Sequence, residues 1–392
     1  MKKFLFLVTA VLAVASCTKV AEPTLSGLDP NAFKDKYEGK KVALYTLKNE
    51  QGMEVCITNF GGRIVSMMVP DINGDFLDVV LGFDNIQDYY PENNASDFGA
   101  AIGRYANRIK QGQFTLDGET YQLPRNNFGH CLHGGPKGWQ YKVYKVVKHN
   151  DTMLKLLMDS PDGDSGFPGR VKAYVTYTLL PENALKIEYE ATTDKPTIIN
   201  MTNHSYFNLA GDPEYHRVSE DFMRLNAITY TPVDATFIPT GDILNVSQTP
   251  MDFSSGEYIG KDIDNFAFEQ IKNGNGFDHN WILNTHRDIN EPAVRVYSAQ
   301  SCILLTVYTD EPGIQIYTGN FLDGSVQGKK GVYYKKRSGI CLETQKYPDS
   351  PNHPDWPSPV LRPGETYRSN TIFAFSTLDI NGEGNEENNQ EQ

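Results

Sequence analysis

The chain has 392 residues, of which 39% are hydrophobic and 22% are charged, a balance typical of globular proteins and far from that of disordered chains. Its glycines (Gly 33) and prolines (Pro 22) follow no three-residue period, which excludes a collagen-like fold and favours one with many tight turns. The formal net charge of −13 argues against nucleic acids and anionic lipid surfaces as partners, whereas a neutral ligand stays possible.

The first 16 residues predict a secretory signal peptide. Two lysines precede an apolar run that is too short to cross a bilayer as a mature helix. The run ends in the letters VASC, which resemble a bacterial lipobox, so we expect residues 1–16 to be removed and Cys17 to be lipidated. An ordinary signal peptide with an incidental cysteine is the alternative. Residues 17–36 are then expected to form a lipidated N-terminus and flexible tether, which predicts an anchored protein of the bacterial cell envelope, periplasmic or on the surface.

Beyond residue 37, short runs with strand composition recur between turn signals. The predicted strands cover residues 41–47, 54–60, 64–69, 79–83, 171–180, 185–191, 293–297, 303–308 and 314–318. The pairs Asn73-Gly74 and Asp117-Gly118 predict two-residue hairpin turns. Few windows carry apolar residues at helical spacing. The pattern therefore predicts an all-β fold, a large antiparallel β-sandwich over residues 37–378, with a disordered acidic tail over residues 379–392.

Four cysteines follow the predicted lipidation site: Cys56, Cys131, Cys302 and Cys341. They allow three disulfide pairings in an oxidising compartment. Three of them lie inside apolar runs, where a free cysteine behaves as a small buried hydrophobe, and a core of this size needs no cross-links. We therefore expect free thiols.

Candidate chemistry begins with the histidines that lie in polar, glycine-rich contexts: His130, His133, His204 and His279. A lone histidine is more often structural than catalytic, so a catalytic role has to be supported by the residues around it. His133 is followed by two glycines, which let the backbone approach a ligand closely, although a plain glycine turn explains them too. His204 lies among hydrogen-bonding and aromatic residues, a composition typical of a surface that stacks a sugar ring and transfers a proton. A satisfied histidine at a strand edge is the alternative.

Polar residues inside apolar runs complete the candidate set. Asn107 and Arg108 lie in GRYANRI, and a planar guanidinium suits a carboxylate or a sugar hydroxyl, although an exposed ion pair is the simpler explanation. Asp278 lies in GFDHNW, and Glu343 directly follows a buried strand, where desolvation favours its neutral form and so poises a base near neutral pH. Gln315 alternates with apolar residues and is expected to point into the same cavity. The proline-rich loop over residues 347–354 is expected to wall it.

Six of these segments occur together in a recognisable order: GRYANRI, LHGGPKGW, TNHSYFNLAG, GFDHNW, IQIYTGNFLDG and GICLETQKYPDSPNHPDWPS. Over residues 40–376 the chain resembles the aldose 1-epimerase (galactose mutarotase) family. The resemblance implies a β-supersandwich with its site in an open cleft on one sheet. It also implies anomer interconversion of free aldohexoses such as glucose and galactose, with Glu343 as general base and His204 as general acid. The implied substrate contacts are His133, Asp278, Arg108, Asn107 and Gln315. No metal or other cofactor is implied.

Three other functions stay open from the sequence. Asp278 and Glu343 are two carboxylates of the kind that glycosidases use for hydrolysis. A non-catalytic sugar-binding lipoprotein would keep the aromatic residues without needing an acid and a base. His133, His204 and His279 with a carboxylate have the residue types of a metal site, although no short ligand spacing supports it. We expect a monomer or a weak dimer that meets the membrane only through its lipid.

Overall fold

The computed structural model of the protein describes residues 23–378. The predicted signal peptide, the lipidation site Cys17 and the predicted tail over residues 379–392 lie outside the described residues. In the part that is described, 29 of the regular elements are β-strands and the nine helical ones are short, so the all-β prediction is confirmed.

The strands follow one another in chain order. The first ten are β1 (Asp35–Tyr37), β2 (Lys40–Val42), β3 (Leu44–Lys48), β4 (Glu54–Thr58), β5 (Arg63–Pro70), β6 (Phe76–Asp78), β7 (Ala100–Ile102), β8 (Arg108–Ile109), β9 (Gln113–Leu116) and β10 (Glu119–Gln122). The next ten are β11 (Cys131–Leu132), β12 (Lys145–His149), β13 (Met153–Ser160), β14 (Val171–Leu180), β15 (Ala184–Thr193), β16 (Thr197–Ile198), β17 (Thr202–His204), β18 (Tyr206–Phe207), β19 (Phe222–Leu225) and β20 (Thr229–Thr231). The last nine are β21 (Leu244–Asn245), β22 (Glu257–Tyr258), β23 (Asp278–Ile282), β24 (Pro292–Tyr297), β25 (Ile303–Thr309), β26 (Gly313–Tyr317), β27 (Ile340–Gln345), β28 (Val360–Leu361) and β29 (Tyr367–Thr377).

Helical elements are few and short. The α-helix α1 spans Glu269–Gly274. The short 3-10 helices span Pro30–Phe33, Gln87–Tyr89, Lys110–Gly112, Trp139–Tyr141, Asp164–Gly166, Val218–Glu220, Lys329–Gly331 and Ser350–Asn352.

Two large sheets form the body of the molecule. One has nine strands in the order β12-β13-β14-β15-β29-β25-β24-β19-β22, and the other has six in the order β18-β27-β26-β23-β20-β21. Their ladders are antiparallel. A four-stranded sheet, β3-β4-β5-β6, and several two-stranded ladders complete the fold. The predicted antiparallel sandwich is therefore confirmed.

The core lies between these sheets because side chains alternate along each strand. On β14 the buried positions alternate with partly or fully exposed ones. On β26 and β27 every residue is buried, on both faces of the sheet. One face packs into the core, so the other face must be covered by a different part of the protein. Side chains from all three strands meet in one hydrophobic cluster, among them Val171, Val175, Tyr177, Ile314, Ile316, Ile340 and Leu342.

Most predicted strands are present, and both predicted hairpins form. The prediction of a two-residue turn at Asn73-Gly74 is wrong, because the β5–β6 ladder ends at the pair Pro70 and Phe76 and leaves a five-residue loop over residues 71–75. The Asp117-Gly118 turn joins β9 to β10 with φ of 51° and 84°, as a primed two-residue turn requires. The prediction for residues 79–83 is wrong, because the strand there is β6 and ends at Asp78. The segment is buried and apolar, yet its backbone N–H groups donate to acceptors in several different parts of the chain rather than to one neighbouring strand. Leu81 donates to the Tyr206 carbonyl and Phe83 to the Tyr89 hydroxyl.

Residues 23–36 correct the predicted tether. Leu28 and Phe33 are buried in a hydrophobic cluster with Phe60 and Tyr89. The Leu25 N–H donates to the Glu54 carboxylate at 2.7 Å. These apolar side chains anchor the segment on the sandwich, so the folded part begins earlier than residue 37 and the tether prediction is wrong for residues 23–36.

The four cysteines of the described residues are free thiols, and Cys56, Cys131 and Cys341 are buried, as expected. Between residues 23 and 378 no helix has the length and apolar character needed to cross a bilayer.

Candidate active site

Three neighbouring strands of the six-stranded sheet supply the floor of the site. Gln315 on β26 lies opposite Glu343 on β27, and Tyr317 lies opposite both Asp278 on β23 and Cys341 on β27. These residues occupy the positions that alternate with the core-facing isoleucines and leucines. One face of the three strands therefore builds the core, and the other carries polar groups.

Above this floor lies an open cleft of about 780 Å³. Six of the seven site residues predicted from the sequence line it: Asn107, Arg108, His133, His204, Asp278 and Glu343. The seventh, Gln315, is on the same face of the sheet but is not part of the lining, and its Nε2 donates to Asp278 Oδ1 at 2.6 Å. The structure thus brings together residues that are separated by more than two hundred positions in the chain.

Glu343 and His204 lie close together at the floor of the cleft. His204 Nε2 lies 3.5 Å from Glu343 Oε1, and both side chains are buried. Burial raises the pKa of Glu343 well above its usual value, the charges of Asp278 and Asp97 raise it further, and Arg108 opposes them. A carboxylate in this setting holds a proton more readily than one in water and so makes a stronger base.

His204 ends β17, which pairs with β7. The Gly99 N–H donates to the His204 carbonyl at 3.0 Å, which fixes the backbone next to the imidazole. The imidazole Nδ1 lies 3.5 Å from the Cys341 thiol. Burial lowers the pKa of His204, and the charge of Asp97 is the largest of the effects that oppose it.

His133 is held in one tautomer by its partner Asn107. The backbone N–H of Asn107 donates to the His133 ring nitrogen Nδ1 at 3.1 Å. In return, the backbone N–H of His133 donates to the Asn107 carbonyl at 3.1 Å. Because Nδ1 accepts, the ring proton is on Nε2, which is a hydrogen-bond donor. Burial lowers the pKa of His133 well below its usual value, and the charges of His204 and Arg108 act in the same direction. His133 is therefore a neutral donor.

The loop geometry at His133 needs the glycine that follows it. Gly134 has φ of 78°, and a Cβ there would lie 2.3 Å from the Gly103 carbonyl oxygen. Asn107 and His133 also adopt positive φ, 61° and 51°. Such strained conformations are typical of residues whose side chains must be aimed at a ligand.

Arg108 is the buried cation of the cleft. Its Nε and Nη2 donate to Asn127 Oδ1 at 3.1 and 3.0 Å, and its guanidinium lies 4.8 Å from the centre of the Phe237 ring. Burial lowers its pKa, while the charges of Asp278 and Glu343 raise it. Burial likewise raises the pKa of Asp278, against the effects of Arg108 and the Gln315 amide.

Two candidate histidines and one loop lie outside the cleft. His279 alternates with Asp278 and so faces the core, fully buried, with its Nδ1 accepting the Asp278 N–H. His130 bridges the Gln111 N–H and the Thr236 hydroxyl. The loop over residues 347–354 is absent from the cleft lining, which corrects the expectation that it walls the pocket. It lies behind β8, where the Asp349 N–H donates to the Arg108 carbonyl.

Sequence reasoning missed several residues of the cleft. Asp97 lies in an irregular loop, where no periodic pattern marks it. Phe128 and Phe321 line the cleft while 56% and 52% exposed, and exposed aromatic rings at a cleft rim are typical of sugar-binding surfaces. The segment IQIYTGNFLDG was the one available signal for Phe321.

A metal site was one alternative, and the geometry does not fit it. Asp97, His133 and His204 bring possible ligand atoms within 4.8 Å of one another. The hydrogen bond from Asn107 occupies the Nδ1 lone pair of His133, and Nε2 carries the proton, so this imidazole has no free lone pair for a cation. His279, the third histidine considered, faces the core.

Comparisons with known proteins agree over most of the chain. A family model described as aldose 1-epimerase matches residues 43–374. The galactose mutarotase of Sus scrofa is 42% identical over 335 residues, which covers 86% of this chain and 94% of the relative. The aldose 1-epimerase of Escherichia coli (strain K12) is 38% identical over 340 residues, with 86% and 96% covered.

Solved structures are similar as well. A crystal structure of an aldose epimerase homologue from C. elegans superposes with a TM-score of 0.77 at 34% identity, covering 86% of this chain and 100% of the other. The galactose 1-epimerase of Lactobacillus acidophilus NCFM gives a TM-score of 0.75 at 30% identity, covering 88% and 97%. The fold implied by the sequence motifs is therefore confirmed.

Proposed function

The chain belongs to the aldose 1-epimerase family, and on that premise we propose that Glu343 and His204 are the general base and general acid of its reaction. The protein interconverts the α and β anomers of aldoses. Glucose and galactose are the proposed substrates. Neither a metal nor any other cofactor takes part in the proposed mechanism.

The mechanism follows from what opening a hemiacetal ring requires. The Glu343 carboxylate removes the proton from O1, and the freed electron pair forms the C1=O1 carbonyl while the C1–O5 bond breaks. O5 receives the proton of the charged His204 imidazole. The aldehyde rotates about the C1–C2 bond, and the same two transfers in reverse close the ring on its other face.

One observation carries this assignment: His204 Nε2 and Glu343 Oε1 lie 3.5 Å apart on the floor of the cleft. O1 and O5 are bonded to the same carbon, so their acid and base must lie within the width of one sugar ring. Both side chains are also buried in the wall of the cleft, which limits the access of water to their protons.

Five other residues are proposed to hold and orient the sugar: Arg108, His133, Asp278, Asn107 and Gln315. Arg108 and the neutral His133 offer donors to its hydroxyl groups, and Asp278 offers an acceptor, held in place by Gln315. Orientation of this kind converts binding energy into rate, because the reacting atoms no longer have to find the right geometry. The exposed faces of Phe128 and Phe321 suit the apolar C–H face of a pyranose.

Polarimetry tests the two catalytic roles. We expect Glu343→Gln and His204→Asn each to lower kcat for freshly dissolved α-glucose by about 10²- to 10⁴-fold, the usual contribution of one general catalyst. His286→Asn serves as the control, because His286 is exposed and outside the cleft. Thermal unfolding confirms that each variant is folded. Wild-type rates in either cleft variant would overturn the assignment.

The alternatives from the sequence are weaker than this assignment. The relatives carry the names of anomer-converting enzymes rather than of glycosidases. A purely binding protein would not need an acid and a base paired on its floor. A release of reducing sugar from an oligosaccharide would favour hydrolysis, and a loss of activity in EDTA would favour a metal.

We also propose that Cys17 carries a lipid and anchors the protein in the bacterial cell envelope. The support is the signal-like start and the VASC letters of the sequence. Labelling with an alkyne fatty acid and membrane fractionation test it. The full-length chain is expected to be labelled and to sediment with membranes, whereas Cys17→Ser is expected to do neither. An unlabelled wild-type protein would contradict the proposal.

The protein is proposed to be a monomer or a weak dimer. Its net charge of −13 makes copies repel one another. Light scattering over a range of concentrations tests this, and a stable larger assembly would contradict it.

A further inference from the structure

The reaction needs His204 to be charged, yet its surroundings disfavour that charge. The side chain is buried, and burial lowers the pKa of its imidazole. A fixed negative charge beside the ring would restore the imidazolium. Glu343 cannot supply it throughout the reaction, because it takes up a proton itself.

Asp97 is the second carboxylate beside His204. A carboxylate oxygen of Asp97 and the nitrogens of His133 and His204 all lie within 4.8 Å of one another. Asp97 lines the cleft, and its Oδ1 is buried without a hydrogen-bond partner among the described residues. The carboxylate therefore lies close enough for its charge to act on the imidazole, at a distance longer than that of a hydrogen bond.

The backbone around Asp97 is held rigidly. The fully buried Arg63 donates from Nη1 to the Phe98 carbonyl and from Nη2 to the Ser96 carbonyl, each at 2.9 Å. On the other side, the Gly99 N–H donates to the carbonyl of His204 itself. The residues on both sides of Asp97 are thus tied to Arg63 and to the strand that carries the imidazole, so the carboxylate keeps a fixed place beside it.

We propose that Asp97 is a positioning residue for the general acid, and that its carboxylate keeps the His204 imidazole charged. This rests on the proposed role of His204. Nothing in the local sequence marks Asp97, since it lies in an irregular loop before β7.

Other charged and titratable groups also face His204. They are Glu343 and Cys341 on β27, His133 after β11, Tyr206 on β18, Tyr317 on β26 and, further back on β5, Arg63. His133 and the tyrosines are neutral near neutral pH, and Arg63 disfavours the imidazolium. Apart from the catalytic base, Asp97 is thus the group in this set that favours the charged ring.

The charge of Asp97 is expected to set the pH range over which the enzyme is active. The rate rises with pH as the Glu343 carboxyl group loses its proton, and it falls at higher pH as the His204 imidazole loses its proton. The charge of Asp97 raises the pKa of both groups. Asp97→Asn removes the charge at constant shape and so lowers the pKa of both, which moves both limbs of the pH profile to lower pH.

The test measures kcat and KM by polarimetry across the pH range. For Asp97→Asn we expect the whole bell-shaped profile to move to lower pH, with kcat on the alkaline side about tenfold lower and kcat at the new optimum within about twofold of wild type. Asp97→Glu keeps the charge and is expected to restore the wild-type profile. Glu92→Gln removes a charge from the same loop at an exposed site and is expected to change nothing.

Two results would overturn the proposal. One is an unmoved profile in Asp97→Asn, and the other is a rise in KM with no shift of the limbs, which would make Asp97 a sugar ligand. His204→Asn, measured in parallel, separates the two levels of inference. If it loses activity while the Asp97→Asn profile stays unmoved, only the role of Asp97 fails. If it keeps wild-type activity, the proposed acid itself is wrong.

Discussion

Replacing Arg108 with lysine keeps the positive charge and removes the planar fork that positions it. In the wild-type protein Nε and Nη2 both donate to Asn127 Oδ1, and the flat guanidinium lies 4.8 Å from the centre of the Phe237 ring. A lysine ammonium is compact and can replace at most one of these two hydrogen bonds. It also loses the stacking geometry over the ring.

The cost can be worked from these contacts. One lost hydrogen bond to a charged group is worth about 1.5–3 kcal/mol, and the weakened contact with the ring adds about 0.5–1 kcal/mol. A total of about 2–4 kcal/mol corresponds to a fall in kcat/KM of roughly 30- to 1000-fold. The fall is expected mainly in kcat, because a displaced cation misorients the sugar more than it excludes it.

Polarimetry of Arg108→Lys with glucose and galactose measures this fall in kcat/KM. Thermal unfolding shows how much the same substitution lowers the stability of the folded protein. Arg125→Lys is the matched control, because Arg125 is exposed, lies near the same loop and, among residues 23–378, donates a hydrogen bond to the Gln111 backbone carbonyl rather than to a side chain. If Arg108→Lys keeps kcat/KM within about threefold of wild type while remaining folded, the argument that the fork geometry positions the sugar is wrong.

Three further outcomes are expected. Gly99→Ala should lower the free energy of unfolding by about 3 kcal/mol or more, measured by denaturant titration, because φ is +68° and a Cβ would lie 1.9 Å from the Ile64 carbonyl oxygen. A ¹⁵N NMR spectrum should show His133 neutral and protonated on Nε2 at pH 6, and a charged ring would contradict the assigned tautomer. Gln315→Met should raise KM most at low pH, because loss of the amide donor raises the pKa of Asp278 further and depletes its carboxylate; an equal KM at all pH values would count against this.

The sequence was sufficient for features that depend on local patterns. Alternation along β26 placed Gln315 on the face opposite the core, because a strand has a period of two. Glu343, which was expected directly after a buried strand, lies within β27 and faces the same side as Gln315. The same alternation excludes His279 from the cleft, since it directly follows Asp278. Either strand phase was possible before the register was known, so the sequence alone could not choose between these neighbours.

Features that depend on contacts between distant parts of the chain could not be predicted from the sequence. The apolar run over residues 79–83 has strand composition, yet its backbone partners come from separate parts of the molecule and build no ladder. Residues 23–36 have the polar, proline-containing composition of a linker, and two buried side chains, Leu28 and Phe33, are enough to hold them on the sandwich. The place of Asp97 beside His204 depends on Arg63, which is 34 positions earlier in the chain and holds the Asp97 loop through contacts that the sequence does not reveal.

Burial changes the two proposed catalysts in opposite directions, and this suits a reaction that must run equally well both ways. It raises the pKa of Glu343 and lowers that of His204, which works against the usual difference, in which an imidazole binds its proton more tightly than a carboxylate. Ring opening moves one proton onto the glutamate and another off the histidine, and ring closure reverses both transfers. If the two affinities were far apart, one direction would be fast and the other would be trapped in a stable protonation state. A buried pair, with Asp97 offsetting the cost of the charged imidazole, keeps both directions accessible without a metal or a covalent intermediate.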